Sequence, residues 1–174
     1  MTHPSPDKDD AKTLEKTSRQ PEDPVAIPPT LGEPLEFMRL LWGLNHALEV
    51  TSARMSTDIG VTASQRMLIR VTGRFPKILA GQLAELLCVD AGTISTALAR
   101  LEGRGLVKRE RPQNDRRKVT VELTAAGREL DVPASNTVES AVLKLLDKLP
   151  AEQIDAARAV LSTLAQIMIE QARS

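Results

Sequence analysis

Residues 83–127 read LAELLCVDAGTISTALARLEGRGLVKRERPQNDRRKVTVELTAAG. Apolar side chains recur at threes and fours through Leu83–Leu87 and again at Ile94, Ala97, Leu98 and Leu101. That is the spacing of two amphipathic helices, here joined through Cys88-Val89. Asp90 can cap the second helix, predicted over Ala91–Gly103, and Gly105 supplies a left-handed exit from it. Leu106–Glu110 and Lys118–Leu123 then read as two strands, the second strictly alternating. Between them Pro112-Gln113-Asn114-Asp115-Arg116 is turn chemistry, so the pair forms an antiparallel hairpin. Two helices followed at once by such a hairpin make a winged helix-turn-helix.

The flanking sequence is helical. Leu35, Met38, Leu41, Trp42, Asn45, Leu48 and Met55 lie on one stripe of a long helix reaching about Asp58. Thr62-Ala63-Ser64-Gln65 is a capping box, predicting a helix from Ala63 to Thr72 with Gly73 as its stop. Pro76 breaks the chain, Ile78-Leu79 is extended, and a third helix follows over Ala80–Leu87. Beyond the hairpin, Thr124 caps a helix that Val132-Pro133 interrupts. The pattern resumes from Val138 to Leu149, and a last helix opens at Pro150 and runs through Ile154, Leu161 and Met168. The fold class is mainly α with a small β-hairpin: a winged helix-turn-helix plus a helical dimerisation region. The stripes at 35–58, 134–148 and 151–170 exceed what a small winged core can cover. Left bare they would be an aggregation liability, so a symmetric contact with a second copy, burying more than ~2,000 Å², is expected. Met38, Met55, Met67 and Met168 read as core packing, and His46 as a packed or hydrogen-bonded core histidine.

Composition narrows the function. The chain has 174 residues, 41% apolar and 26% charged, an ordinary globular balance. No apolar run approaches the ~18–20 residues of a spanning helix, and Met1–Asp10 lacks the pattern of a signal peptide, which predicts a cytoplasmic protein with no membrane partner. Seven of the eleven prolines fall within residues 1–34, read as a disordered or loosely ordered arm. Cys88, His3 and His46 form no metal-ligating cluster, and neither metal nor cofactor is expected. No nucleophile signature or glycine-rich phosphate loop is present, which argues against an enzyme. With Trp42, Phe37 and Phe75 as the only aromatics, base stacking on single strands is disfavoured.

Lysine plus arginine and aspartate plus glutamate number 23 each, yet residues 100–118 carry eight basic and three acidic side chains. Such a patch is the footprint of phosphate binding, although a solvated charged hairpin would look alike. A helix fits the major groove, and small polar residues at its N-terminus allow close approach. Gly92, Thr93, Ser95 and Thr96 are the outward candidates, with Arg100 one turn later either on a phosphate or paired with Glu102 or Glu122. The hairpin, through Arg116, Arg117 and Lys118, can reach the minor groove of double-stranded DNA.

The runs Leu83–Leu87, Asp90–Val107, Asp115-Arg116-Arg117 and Leu123–Gly127 resemble the MarR family of bacterial transcription regulators. The resemblance covers roughly residues 35–174 as one domain, with 35–61 and 125–174 as dimerisation helices and 62–124 as the winged module. It implies a homodimeric, ligand-responsive regulator, more often repressor than activator, on a near-palindromic operator. In that scheme Asp115 fixes the wing, Arg117 enters the minor groove, and a small aromatic or lipophilic effector binds between the dimerisation helices and the winged module. Met38, Arg39, Trp42, Asn45 and His46 are the candidate pocket. Thr96 stands where the family often has arginine and Ala91 where it often has proline, so readout is expected to rest on Thr93, Ser95, the backbone at Gly92 and DNA shape. Two alternatives stay open: a winged module binding an acidic protein partner, and a thiol-responsive regulator using Cys88. Against the second, Cys88 has no basic neighbour in sequence and reads as a small buried residue.

Overall fold

The computed structural model describes residues 31–111 and 118–173. The chain divides into two compact units, 1–38 and 39–174. In the first, the described residues are the start of helix α1 (Glu33–Asp58), whose Glu36 amide donates to the Gly32 carbonyl at 3.0 Å. The second holds the remainder of α1 and then α2 (Ala63–Arg74), β1 (Ile78–Leu79), α3 (Ala80–Leu86), α4 (Ala91–Gly103), β2 (Val107–Glu110), β3 (Thr120–Leu123), α5 (Ala125–Glu129), α6 (Val138–Lys148) and α7 (Ala151–Arg173).

The predicted caps organise this unit. The Thr62 hydroxyl accepts from the Gln65 amide, and Gln65 Oε1 in turn accepts from the Thr62 amide. Asp90 accepts from the Thr93 amide at 2.8 Å, and Thr124 from the Gly127 amide at 3.1 Å. Thr137, its side chain buried, accepts from the Ser140 amide and opens α6.

The sheet has three strands in the order β1-β3-β2, all antiparallel. Ile78 lies opposite Val121 on one side of β3, and Val107 opposite Leu123 on the other. The predicted two-stranded hairpin is therefore extended by β1, which local pattern left as an isolated extended piece. Leu68, Ile69, Leu83, Ile94, Leu98 and Leu101 from α2–α4 close over Ile78, Val107, Val121 and Leu123 of the sheet. This is the core, and it lies within the winged module.

Two expectations need correction. Helix α2 does not stop at Gly73 but runs to Arg74. Gly73 faces the Asp131 carboxylate, where an added Cβ would come within 1.9 Å of an oxygen, so the residue serves close approach and not helix termination. Of the four methionines read as core, only Met55 is buried; Met38, Met67 and Met168 are each more than half exposed. Helices α6 and α7 contain no buried residue, and α1 only Met55. Periodicity identified their apolar stripes correctly, but this chain alone does not cover them. No described helix is long and apolar enough to cross a membrane.

Candidate nucleic-acid interface

Helix α4 presents Gly92, Thr93, Ser95, Thr96 and Arg100 to solvent, while Ile94, Leu98 and Leu101 anchor its other face in the core. The Thr93 hydroxyl donates to Asp90 Oδ2. Its one proton is therefore committed, and Thr93 can meet a further group only by accepting a hydrogen bond or offering its methyl group. That hydroxyl, followed by the Thr93 amide, holds the Asp90 carboxyl below the ordinary carboxylate range. Gly92, Thr93, Thr96 and Arg100 line a surface hollow of about 720 Å³, floored by Leu68 and Ile94.

The hairpin base is tied to α4 by Glu102. Its carboxylate takes the Arg109 amide at 3.1 Å and the Arg109 Nε at 2.8 Å, and the Arg109 hydrogen bond lowers the Glu102 pKa. Lys108 donates to Glu110 and reaches Glu122, both at 2.9 Å; Glu122 and then Glu110 raise its pKa. Both carboxylates considered for Arg100 thus have other partners. Lys108 and Arg109 in turn give part of the basic run to structure. Lys118 is exposed at the start of the returning chain. Asp115, Arg116 and Arg117 lie outside the described residues.

The residues proposed to line an effector pocket, Met38, Arg39, Trp42, Asn45 and His46, are all exposed. Trp42 is 77% accessible, and the Asn45 amide donates to Glu49 at 2.9 Å. His46 is thus not a core residue of the single chain, because the stripe it adjoins is uncovered. Cys88, read as buried, is exposed in the turn after α3 with φ +52°. An apolar cavity of about 450 Å³ lies instead among Met55, Met67, Val138, Val142 and Leu143, with Arg66, Arg70 and Glu139 in its wall. Arg66 is nearly fully buried. Sequence reasoning missed this cluster. Its one local trace is an arginine pair at i, i+4 on α2, one member of which falls on the buried face.

Comparison with known proteins gives a concordant picture. The model of the MarR family matches residues 59–118. The homoprotocatechuate degradative operon repressor of Escherichia coli is 30% identical over 94 residues, covering 54% of this chain and 64% of the relative, so the chain spans just under two thirds of that protein. The transcriptional regulator HosA of Escherichia coli O157:H7 is 33% identical over 93 residues, 53% of this chain and 69% of that one. Among solved structures, Streptococcus pneumoniae FabT in complex with DNA matches with a TM-score of 0.58 and 25% identity, covering 80% of this chain and 99% of FabT.

Proposed function

The chain belongs to the MarR family, and from that premise we propose that it is a transcriptional repressor acting as a homodimer on a near-palindromic double-stranded operator. The observation that carries this reading is the exposed, small-residue N-terminal face of α4 standing beside a basic hairpin, while the apolar faces of α1, α6 and α7 lie bare. A second copy covering those faces would hold two α4 helices on one assembly. To enter successive major grooves they must sit roughly 34–36 Å apart.

Ser95 and Thr96 meet base edges or phosphates and Thr93 a base edge, Arg100 meets a phosphate, and Arg117 the flanking minor groove, with Asp115 fixing the wing and Arg116 and Lys118 adding charge. The Thr93 hydroxyl, already donating to Asp90, accepts from an exocyclic amino group of adenine or cytosine. The 450 Å³ cavity is a further place for a small aromatic or lipophilic effector beside the α1 face of Met38, Arg39, Trp42, Asn45 and His46, and an effector there would act by favouring a dimer with another α4 spacing. Such an effector raises the melting temperature and releases the duplex; a screen of aromatic acids and lipophilic compounds without either response would remove this part of the reading.

The test of DNA binding is electrostatic. Each phosphate contact contributes a slope near ~0.9 in log K against log salt. Arg117→Ala should weaken duplex binding and flatten that slope by about one contact. An unchanged binding curve would favour the rival use of the hairpin, docking an acidic protein.

A further inference from the structure

Helix α6 follows the winged module, yet none of its residues is fully buried, so apolar packing within the chain holds it only weakly. A polar joint takes that place. Arg66 and Arg70, one turn apart on α2, both reach the segment between α5 and α6. Arg66 donates to the carbonyls of Leu130 at 3.0 Å and Val132 at 2.7 Å. Arg70 donates to the carbonyl of Asp131 at 2.8 Å and pairs with the Asp131 carboxylate. Three successive carbonyls are thereby held. Glu139, in the first turn of α6, completes the joint: Oε2 accepts from Arg66 at 2.8 and 3.2 Å, and Oε1 from Arg70 at 3.0 Å.

Two cations and two anions balance. Burial opposes the charge on Arg70, but the bond to Asp131 and the charges of Glu139 and Asp131 outweigh it and raise its pKa. A planar guanidinium engaged through several N–H groups restricts orientation as well as distance. One carboxylate straddling two such groups therefore sets how α6 leaves the module, and not only that it stays near. Glu139 also sits where the α6 N-terminus favours negative charge.

We propose that Arg66, Arg70, Asp131 and Glu139 are positioning residues for DNA binding: this joint fixes the angle between the winged module and helix α6, and through it the separation of the two α4 helices in the dimer. The inference rests on the dimeric DNA-binding reading above. It makes the joint a determinant of which half-site spacing the protein accepts, although none of its four residues lies on the α4 face. Three of the four, Arg66, Arg70 and Glu139, also wall the 450 Å³ cavity, so a molecule filling that cavity touches the joint directly.

The experiment starts from the full-length wild-type protein and a duplex that it selects from a random pool. Affinity is then measured for that duplex, for versions with the half-site separation changed by one or two base pairs, and for a single half-site. Wild type is expected to show a sharp spacing optimum. Glu139→Gln removes the charge while keeping the shape. It should lower affinity for the optimal duplex by about tenfold, flatten the spacing profile, and leave single half-site binding unchanged. A folded, dimeric Glu139→Gln with the wild-type profile would overturn the inference, as would equal losses on every duplex. Should that variant fail to fold, Asp131→Asn, which loosens only the Arg70 side of the joint, is expected to flatten the profile to a smaller degree, and a wild-type profile there overturns the inference instead. A wild-type protein that selects no duplex refutes the DNA-binding reading itself, which separates the two failures.

Discussion

Leu98 and Leu161 both lie on the apolar stripe of a helix, but Leu98 is completely buried and Leu161 is 50% exposed. Leu98 belongs to α4, whose stripe meets α2, α3 and the sheet of the same chain. Leu161 belongs to α7, which contains no buried residue. The same contrast separates Leu101 and Val121 from Leu143 and Leu145 of α6. The winged module and the arms, here helices α1, α6 and α7, differ in how much of their apolar stripe this chain covers, not in how strongly their sequences are patterned. The module closes its core within the chain; helices α1, α6 and α7 leave most of their apolar surface uncovered by it.

The most direct way to break this contrast is to place a charge on the bare stripe. In the proposed dimer, Leu161→Asp leaves the core of the module intact but abolishes the pairing. Sedimentation should then show a monomer, and affinity for a two-site duplex should fall by the ~10²–10⁴-fold that simultaneous engagement supplies. A dimeric variant, or a monomer binding as tightly as wild type, would refute the assignment of α7 to the interface.

Truncation to alanine sharpens the same comparison. Leu98→Ala should cost about 2–5 kcal/mol, since it opens a cavity in a closed core, and the loss should not depend on protein concentration. Leu161→Ala should instead destabilise in a concentration-dependent manner, because in the proposed dimer its stripe is buried only on association. Denaturant midpoints measured across a hundredfold range of concentration distinguish the two. If both variants respond identically to dilution, the division between module and arms is wrong.

How much of this was legible in the sequence follows the same line. Asp90, Thr124 and the Thr62–Gln65 box announce their helices because a cap bonds within three residues, and short range is what sequence displays best. The alternating β3 strand was legible for the same reason, whereas its pairing with β1, Ile78 opposite Val121, joins residues too far apart for local pattern to reveal. The Arg66–Glu139 joint spans 73 residues and has no period at all. Reading His46 and three methionines as core failed for a different reason: a helical stripe states that a face will be covered without stating by which chain. Among the candidate DNA contacts, the α4 residues are exposed as expected. Arg109 and Lys108 turned out to be held by Glu102, Glu110 and Glu122, partners that net charge over a window cannot show.

The smallest effect expected is electrostatic, and it distinguishes the α4–hairpin surface from the apolar core beneath. Asp90, Glu102 and Glu122 all have lowered pKa values, through bonds from Thr93, Arg109 and Lys108 respectively. A carboxylate whose folded value lies below its unfolded one contributes fully above the unfolded value, and loses that contribution as pH falls through the folded one. For Glu102 the loss therefore begins below about pH 4.5, so nothing changes near neutrality. Lys108, raised above its ordinary 10.5, behaves oppositely: its contribution is complete below that value and fades only as pH rises through the folded pKa. The urea midpoint should accordingly be flat around neutrality and fall on the acid side, with Glu102→Gln removing part of the acid slope while Leu98→Ala leaves that slope intact and lowers the whole curve. An acid limb unchanged by Glu102→Gln would mean that the Arg109 contact does not hold the hairpin against α4. The pH dependence would then have to arise elsewhere in the chain.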